Sequence, residues 1–167
     1  MPDLMTHLGA SYLIKRFLWP DRQLLAFLVG TTLPDLAAYV PLVSANLLGF
    51  SSGPAWLRDA PYFFLPFHSL LGFTLLCWLI SLLFTADERL GAFLNLEAGG
   101  LLHFAMDVFQ IQHGEFGYLL FPVSWKPVQL GWIGTETSLY VLPGLAAVCL
   151  MVCCLDWRRQ TRSQRED

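Results

Sequence analysis

"YFFLPFHSLLGFTLLCWLISLLF", residues 62–84, contains no Asp, Glu, Lys or Arg, and His68 is its one histidine. A helix needs about 20 apolar residues to cross the hydrocarbon of a bilayer, so this stretch predicts a membrane-spanning helix. Two others meet the same standard: Gln23 to Leu42 carries one charge, Asp35, and Ser138 to Leu155 carries no Asp, Glu, Lys, Arg or His. The composition agrees, with 55% hydrophobic residues, 14% charged and a mean hydropathy of +0.52. That balance excludes an ordinary water-soluble domain.

Two weaker stretches flank these. Leu4 to Leu18 is short and holds His7, Lys15 and Arg16; Leu90 to Phe109 holds Glu97, His103 and Asp107. Both read as spanning helices with polar work to do, the alternative for each being an amphipathic surface helix. The breaks are "WPDR" at 19–22, "SANLLGFSSGPAWLRDAP" at 44–61, "TADER" at 85–89 and the long segment 110–137, all with turn chemistry or charge. The expected fold is therefore all-α: an integral membrane bundle of about five helices, at 4–18, 23–42, 62–84, 89–109 and 138–156. Residues 1–157 form one membrane-embedded domain and 158–167 a basic cytoplasmic tail.

Met1 to Leu18 has no basic start and carries Lys15 and Arg16 after its apolar part, which predicts a retained segment rather than a cleaved leader. Cys77, Cys149, Cys153 and Cys154 show neither CxxC nor Cys/His spacing, so they read as small packing residues. A formal net charge of -3 without a basic patch speaks against nucleic acid as a partner. The bilayer is the expected one. Arg158, Arg159, Arg162 and Arg165 place the C-terminus in the cytoplasm. Alternation through five spans then puts the N-terminus and the loops 43–61 and 110–137 on the outer side.

On that topology His7, Asp35, His68, His103, Asp107 and His113 all fall toward the outer face at similar depth. His103 and Asp107 are i and i+4, share a helix face and can grip one ion. A buried carboxylate costs ~2.5 to 3.5 kcal/mol on insertion scales, and a divalent cation beside Asp35 and Asp107 removes that cost. His and Asp donors without Cys suit zinc, with manganese or iron as alternatives. Glu97, toward the inner side, reads as a helix-packing or surface group, and Pro34 either turns Asp35 inward or kinks its helix.

"THLGASYL" at 6–13, "GTTLPDL" at 30–36, "FHSLLG" at 67–72, "HFAMD" at 103–107 and "LLFPVSWKPVQLGW" at 119–132 resemble, in order and spacing, the motifs of the membrane-bound metal-dependent hydrolases, a family also described as LexA-binding and inner-membrane-associated. More distantly, His103-x3-Asp107-x5-His113 is similar to the zinc-dependent phospholipase C and single-strand nuclease superfamily. That resemblance implies that His7 serves one ion, that Asp35, His68 and His103 hold another, that Asp107 bridges them, and that His113 belongs to a third. The later His-x3-acid pair of those enzymes is missing and Glu136 is its only substitute, which favours one or two ions.

The expected function is thus a metal-dependent hydrolase in the inner membrane, its site toward the outer face, acting on a phosphoester of a lipid or lipid-linked substrate. Asp107 would orient water or bridge metals, and Lys126 and Trp125 on the outer loop would meet the head group. The competing readings are a haem- or quinone-binding membrane protein using two of the histidines as ligands, and a non-catalytic metal-binding membrane protein.

Overall fold

The computed structural model describes residues 4–19, 23–49, 53–55, 59–111 and 118–166. Among these the protein is all-α, with six helices: α1 (Leu4–Leu18), α2 (Leu24–Leu47), a 3-10 helix η1 (Ala60–His68), α3 (Leu70–Ser81), α4 (Ala86–Phe109) and α5 (Thr135–Glu166). By length and composition two of them can cross a membrane, α2 and the Tyr140–Arg158 part of α5. The bent pair η1 and α3 makes a third if it is counted as one span.

The apolar run 62–84 is therefore not the single straight helix its composition predicts. It breaks at Ser69, where η1 meets α3 at 90°. Local chemistry accounts for the break. Pro66 has no N–H to continue a helical ladder, and Ser69, extended at φ -129° and ψ 159°, caps α3 by accepting a hydrogen bond at Oγ from Gly72 N, 3.2 Å away. The Ser69 hydroxyl in turn donates to Pro66 O at 2.6 Å. Gly72 lets the two backbones meet, because a Cβ there would lie 2.1 Å from Pro66 O. With only 12 residues, α3 rises about 18 Å and cannot span the bilayer alone.

Four other elements also differ from expectation. The 15-residue α1 rises about 22 Å, short of the ~30 Å hydrocarbon thickness. Helix α4, at 24 residues, is long enough, but its polar side chains keep it outside the set that qualifies by composition. The last helix is longer at both ends than 138–156, and the basic segment 158–166 continues it as helix. Helix α2 runs on to Leu47, past the expected break at 44, and stops where Gly49 takes a positive φ of 76°.

Polar side chains are gathered inside, and large apolar ones are left on the surface. On α1 the buried stripe is His7, Ser11 and Lys15, spaced four apart, while Met5, Phe17 and Leu18 face outward. Helix α4 forms the centre and buries Ala92, Asn95, Leu96, Gly99, Gly100, His103, Phe104 and Asp107, a stripe at alternating three- and one-residue steps. Its main partner is α2, which it approaches through Gly30 and Gly99; Phe73 of α3 lies where a side chain at Gly100 would be. Phe73, Cys77, Leu96 and Phe104 make the apolar core at that crossing.

Polar staples tie the opposite end together. Lys15 Nζ donates to Asn95 Oδ1 at 2.5 Å, and Asn95 Nδ2 donates to Gln23 Oε1 and Gly91 O, each at 2.9 Å. Arg16 grips both oxygens of Asp156 at 2.7 Å and so joins α1 to α5. The segment before α5 folds back over the end of α4: Leu130 N donates to Val108 O at 2.6 Å, and Trp132 N and Ile133 N both donate to Phe109 O. Carbonyls that a helix terminus leaves without partners are thereby satisfied next to Asp107.

Candidate metal centre

Five of the proposed site residues converge from four helical elements. His7 comes from the first turn of α1, Asp35 from α2, His68 from the last position of η1, and His103 with Asp107 from α4. All five are buried, His7 and His103 completely. Helix α2 continues through Pro34 and Asp35 faces inward. The ladder bond that Pro34 cannot make is set beside hydroxyl bonds one turn earlier, from Thr31 to Phe27 O at 3.1 Å and from Thr32 to Leu28 O and Val29 O. The bend at Ser69 does the same service for His68, ending η1 where its imidazole meets α2 and α4.

The donor atoms form two triangles that share an edge. His68 Nε2 and His103 Nε2 are 3.3 Å apart, and Asp35 Oδ1 lies 3.5 Å and 3.6 Å from them. Asp107 Oδ2 lies 3.3 Å from each imidazole nitrogen, while its other oxygen reaches His7 Nε2 at 3.3 Å. The compact three-donor group is Asp35, His68 and His103, with one donor atom of each within 4.8 Å of the others.

These separations fit a small divalent ion. Zn–N bonds of 2.0–2.1 Å in a tetrahedron put neighbouring donors about 3.3–3.4 Å apart, close to the edges of the first triangle. Hydrogen bonding alone leaves the cluster incomplete. Asp35 Oδ1 meets the two imidazole nitrogens only at 3.5 and 3.6 Å, and Asp35 Oδ2 and His103 Nδ1 have no hydrogen-bond partner among the described residues. Buried polar atoms without partners cost about 1–3 kcal/mol each, so a cation at this position answers a demand the side chains themselves leave open. Two carboxylates also bring a charge of the right sign and size for one divalent ion. His7 and the bridging carboxylate of Asp107 extend the donor set to one side.

Surrounding side chains exclude water and hold the rings. Phe104, 3% exposed, stands edge-on to both imidazoles, with ring centroids 5.3 Å from His68 and 5.7 Å from His103. Tyr39, one turn after Asp35, packs its ring edge-on against His68 at 5.5 Å. Tyr39 was not singled out from the sequence, although its i+4 spacing from Asp35 signals a shared face. A haem between two of these histidines does not fit: His68 and His103 have their nitrogens at 3.3 Å with carboxylates against both, and the His7 and His103 rings lie 4.6 Å apart.

The other expected residues lie elsewhere. Glu136 is exposed in the first turn of α5 and makes no ion pair with the cluster among the described residues. Its place at the start of a separate helix explains why a substitute chosen from sequence order alone does not arrive. Lys126 is exposed, its backbone N–H donating to Ser124 Oγ at 3.2 Å. Trp125 is 66% exposed and packs on Tyr118 and Phe121, at ring centroids 5.6 Å and 4.7 Å. His113 lies outside the described residues. Glu97 accepts a hydrogen bond from Thr74 Oγ1 at 2.8 Å, a contact between α3 and α4 consistent with a packing role.

No protein family, curated protein or solved structure matches the chain.

Proposed function

We propose that the protein is a membrane-bound metal-dependent hydrolase of the kind its motifs resemble, placed in a bacterial inner membrane with its C-terminus cytoplasmic and its site toward the outer face. The observation that carries the reading is the buried Asp35, His68 and His103 group with Asp107 against the same two imidazoles. A divalent ion held there, zinc by the chemistry of the donors, supplies a water of lowered pKa, near ~7, and polarises the bond under attack. Asp35, His68 and His103 would hold it. Asp107 is placed to orient a water and take its proton, since one of its oxygens faces the metal group and the other faces His7 at 3.3 Å. His7 then holds that carboxylate in place and can share the proton. Phe104 and the buried floor keep bulk water from competing. A phosphoester of a lipid or lipid-linked compound is the substrate class, on the strength of the resemblance and the apolar setting.

The deciding experiment measures metal content and phosphodiester hydrolysis on the same purified protein. The wild type should carry at least one equivalent of metal and hydrolyse the ester; His103→Ala should lose both; Asp107→Asn should lose hydrolysis while retaining much of the metal. Wild-type protein that binds no stoichiometric metal after loading with zinc, manganese or iron would refute the proposal.

A further inference from the structure

Against the bend that follows His68 lies a cavity of about 260 Å³. Tyr62 and Pro66 of η1 form part of its lining, Tyr118, Phe121 and Trp125 of the segment after α4 form another part, and Ser69, the residue that follows His68, completes it. The wall residues do not meet by chance. Leu70 N donates to Leu119 O at 3.0 Å, which pins the 118–125 turn to the bend immediately after His68 and Ser69. The rings of Tyr118 and Phe121 then stack edge-on against Trp125.

Its chemistry is apolar. Ser69, 1% exposed, already uses its hydroxyl twice, donating to Pro66 O and accepting from Gly72 N. The walls are otherwise aromatic rings and aliphatic surface, which suit a flexible hydrocarbon and offer little to a sugar or a peptide backbone. The η1 wall also belongs to the bent pair that is apolar enough to enter the membrane, where hydrocarbon chains are the available occupants.

We infer that this cavity receives a hydrocarbon chain of the substrate, so that an amphiphile binds with its polar end on the Asp35, His68 and His103 group and the first part of its chain between η1 and the 118–125 turn. The inference rests on the hydrolase reading for the polar end, but the chain site stands or falls on its own measurement. Trp125 then contributes through the chain rather than through a head group, and Lys126, exposed beside it, stays outside the cavity.

The test uses p-nitrophenyl methyl phosphate and p-nitrophenyl octyl phosphate in one detergent, comparing the wild type with Leu65→Trp, since Leu65 also lines the cavity. Partitioning of the octyl ester into micelles is the same for both proteins and cancels in the comparison. The wild type should prefer the octyl ester in kcat/KM by tenfold or more; in Leu65→Trp that preference should collapse toward unity, the greater loss falling on the octyl ester. An unchanged preference overturns the inference. If Leu65→Trp does not fold, Leu65→Phe gives a smaller filling with a proportionate loss. A second measurement needs no hydrolysis: octyl phosphate carrying a terminal diazirine should label residues 61–69 and 118–125, unlabelled octyl phosphate should compete, and the Trp variant should abolish the labelling. Labelling without hydrolysis supports the chain site while refuting the hydrolase; labelling spread evenly over α5 and indifferent to competitor overturns the chain site.

Discussion

Gly99→Ala should cost the protein both stability and metal, although the residue has no side chain to offer an ion. A Cβ at Gly99 would lie 2.1 Å from Phe27 O and 2.8 Å from Thr31 N, both backbone atoms of α2 that no side-chain rotation can move away. Restoring ordinary contact at 3.4 Å requires α2 and α4 to part by roughly 3.4 minus 2.1, or about 1.3 Å. His103 stands one turn beyond Gly99 on α4, and Asp35 one turn beyond Thr31 on α2. The separation therefore falls on the 3.6 Å gap between Asp35 Oδ1 and His103 Nε2. Metal sites tolerate donor displacements of about 0.2 Å, so much of this strain has to be relieved by losing the Asp35 bond. Overpacking of this kind costs about 1–3 kcal/mol, and disturbing the support of a ligand weakens metal binding about 10–100-fold. Gly91→Ala is the control on the same helix, because the nearest atoms to a Cβ there are the far end of the Gln23 side chain rather than backbone, and Gly144→Ala is a second, with nothing within 4 Å. Melting in detergent and metal retained against a graded chelator would measure the two effects. If Gly99→Ala melts and holds metal like Gly91→Ala, the helix crossing does not set the site.

Removing the charge of a ligand should act oppositely with and without metal. After chelation Asp35→Asn should be more stable than chelated wild type by up to about 3 kcal/mol, and with metal present the order should reverse; a chelated wild type that melts above the variant contradicts the buried-charge account. Chelation itself should lower wild-type stability by about 2.7 kcal/mol for an ion supplied at 100 times its dissociation constant, read as a shift in melting temperature that metal restores. Lys15→Met should cost about 1–3 kcal/mol by stranding the Oδ1 atom of Asn95, and Lys15→Met with Asn95→Leu should recover part of it; a double variant weaker than the sum of the singles would show that Lys15 acts elsewhere. Arg16→Ala should lose no more than about 1 kcal/mol, since the Arg16 and Asp156 side chains are 36% and 25% exposed.

Much of the site was legible because its residues violate the chain's own composition. Imidazoles and carboxylates are conspicuous in apolar stretches, and the i, i+4 relation of His103 to Asp107 needs only helical periodicity. The depth comparison that brought His7, Asp35 and His68 to the same level needed only the helix order. What composition hid was the geometry of the third element. Residues 62–84 pass a hydropathy test on average, yet Pro66, the Ser69 cap and Gly72 break the run. A window that averages apolarity is blind to a missing N–H or a capping hydroxyl. Tyr39 was hidden for a related reason: a tyrosine among leucines and alanines looks like packing until its distance from His68 is known. Glu136 shows the converse. It has the right chemistry at a plausible place in the order, but it opens a different helix and faces out.

The bend at Ser69 also bears on why the cluster can exist in a bundle of this size. A straight helix over 62–84 would offer His68 from its flank, at whatever rotation its packing dictated. Ending η1 at His68 makes the imidazole a terminal group, and the 90° turn sends α3 away toward α4, where Phe73 fills the space that Gly100 leaves. Asp35 and His103 then reach His68 from the two helices that cross at Gly30 and Gly99. One close crossing and one capped break thus bring three donors together without a β-strand or a disulfide among the described residues. The arrangement is under tension, because the same approach gathers two carboxylates in an apolar interior. A cation bound there would relieve that tension, and its removal should loosen the α2 and α4 crossing before it disturbs the Lys15, Asn95 and Gln23 staple at the other end. Hydrogen exchange on the chelated protein would show this as faster exchange at 31–39 and 100–108 than at 91–96; uniform exchange along α4 would mean that the site and the crossing are not coupled.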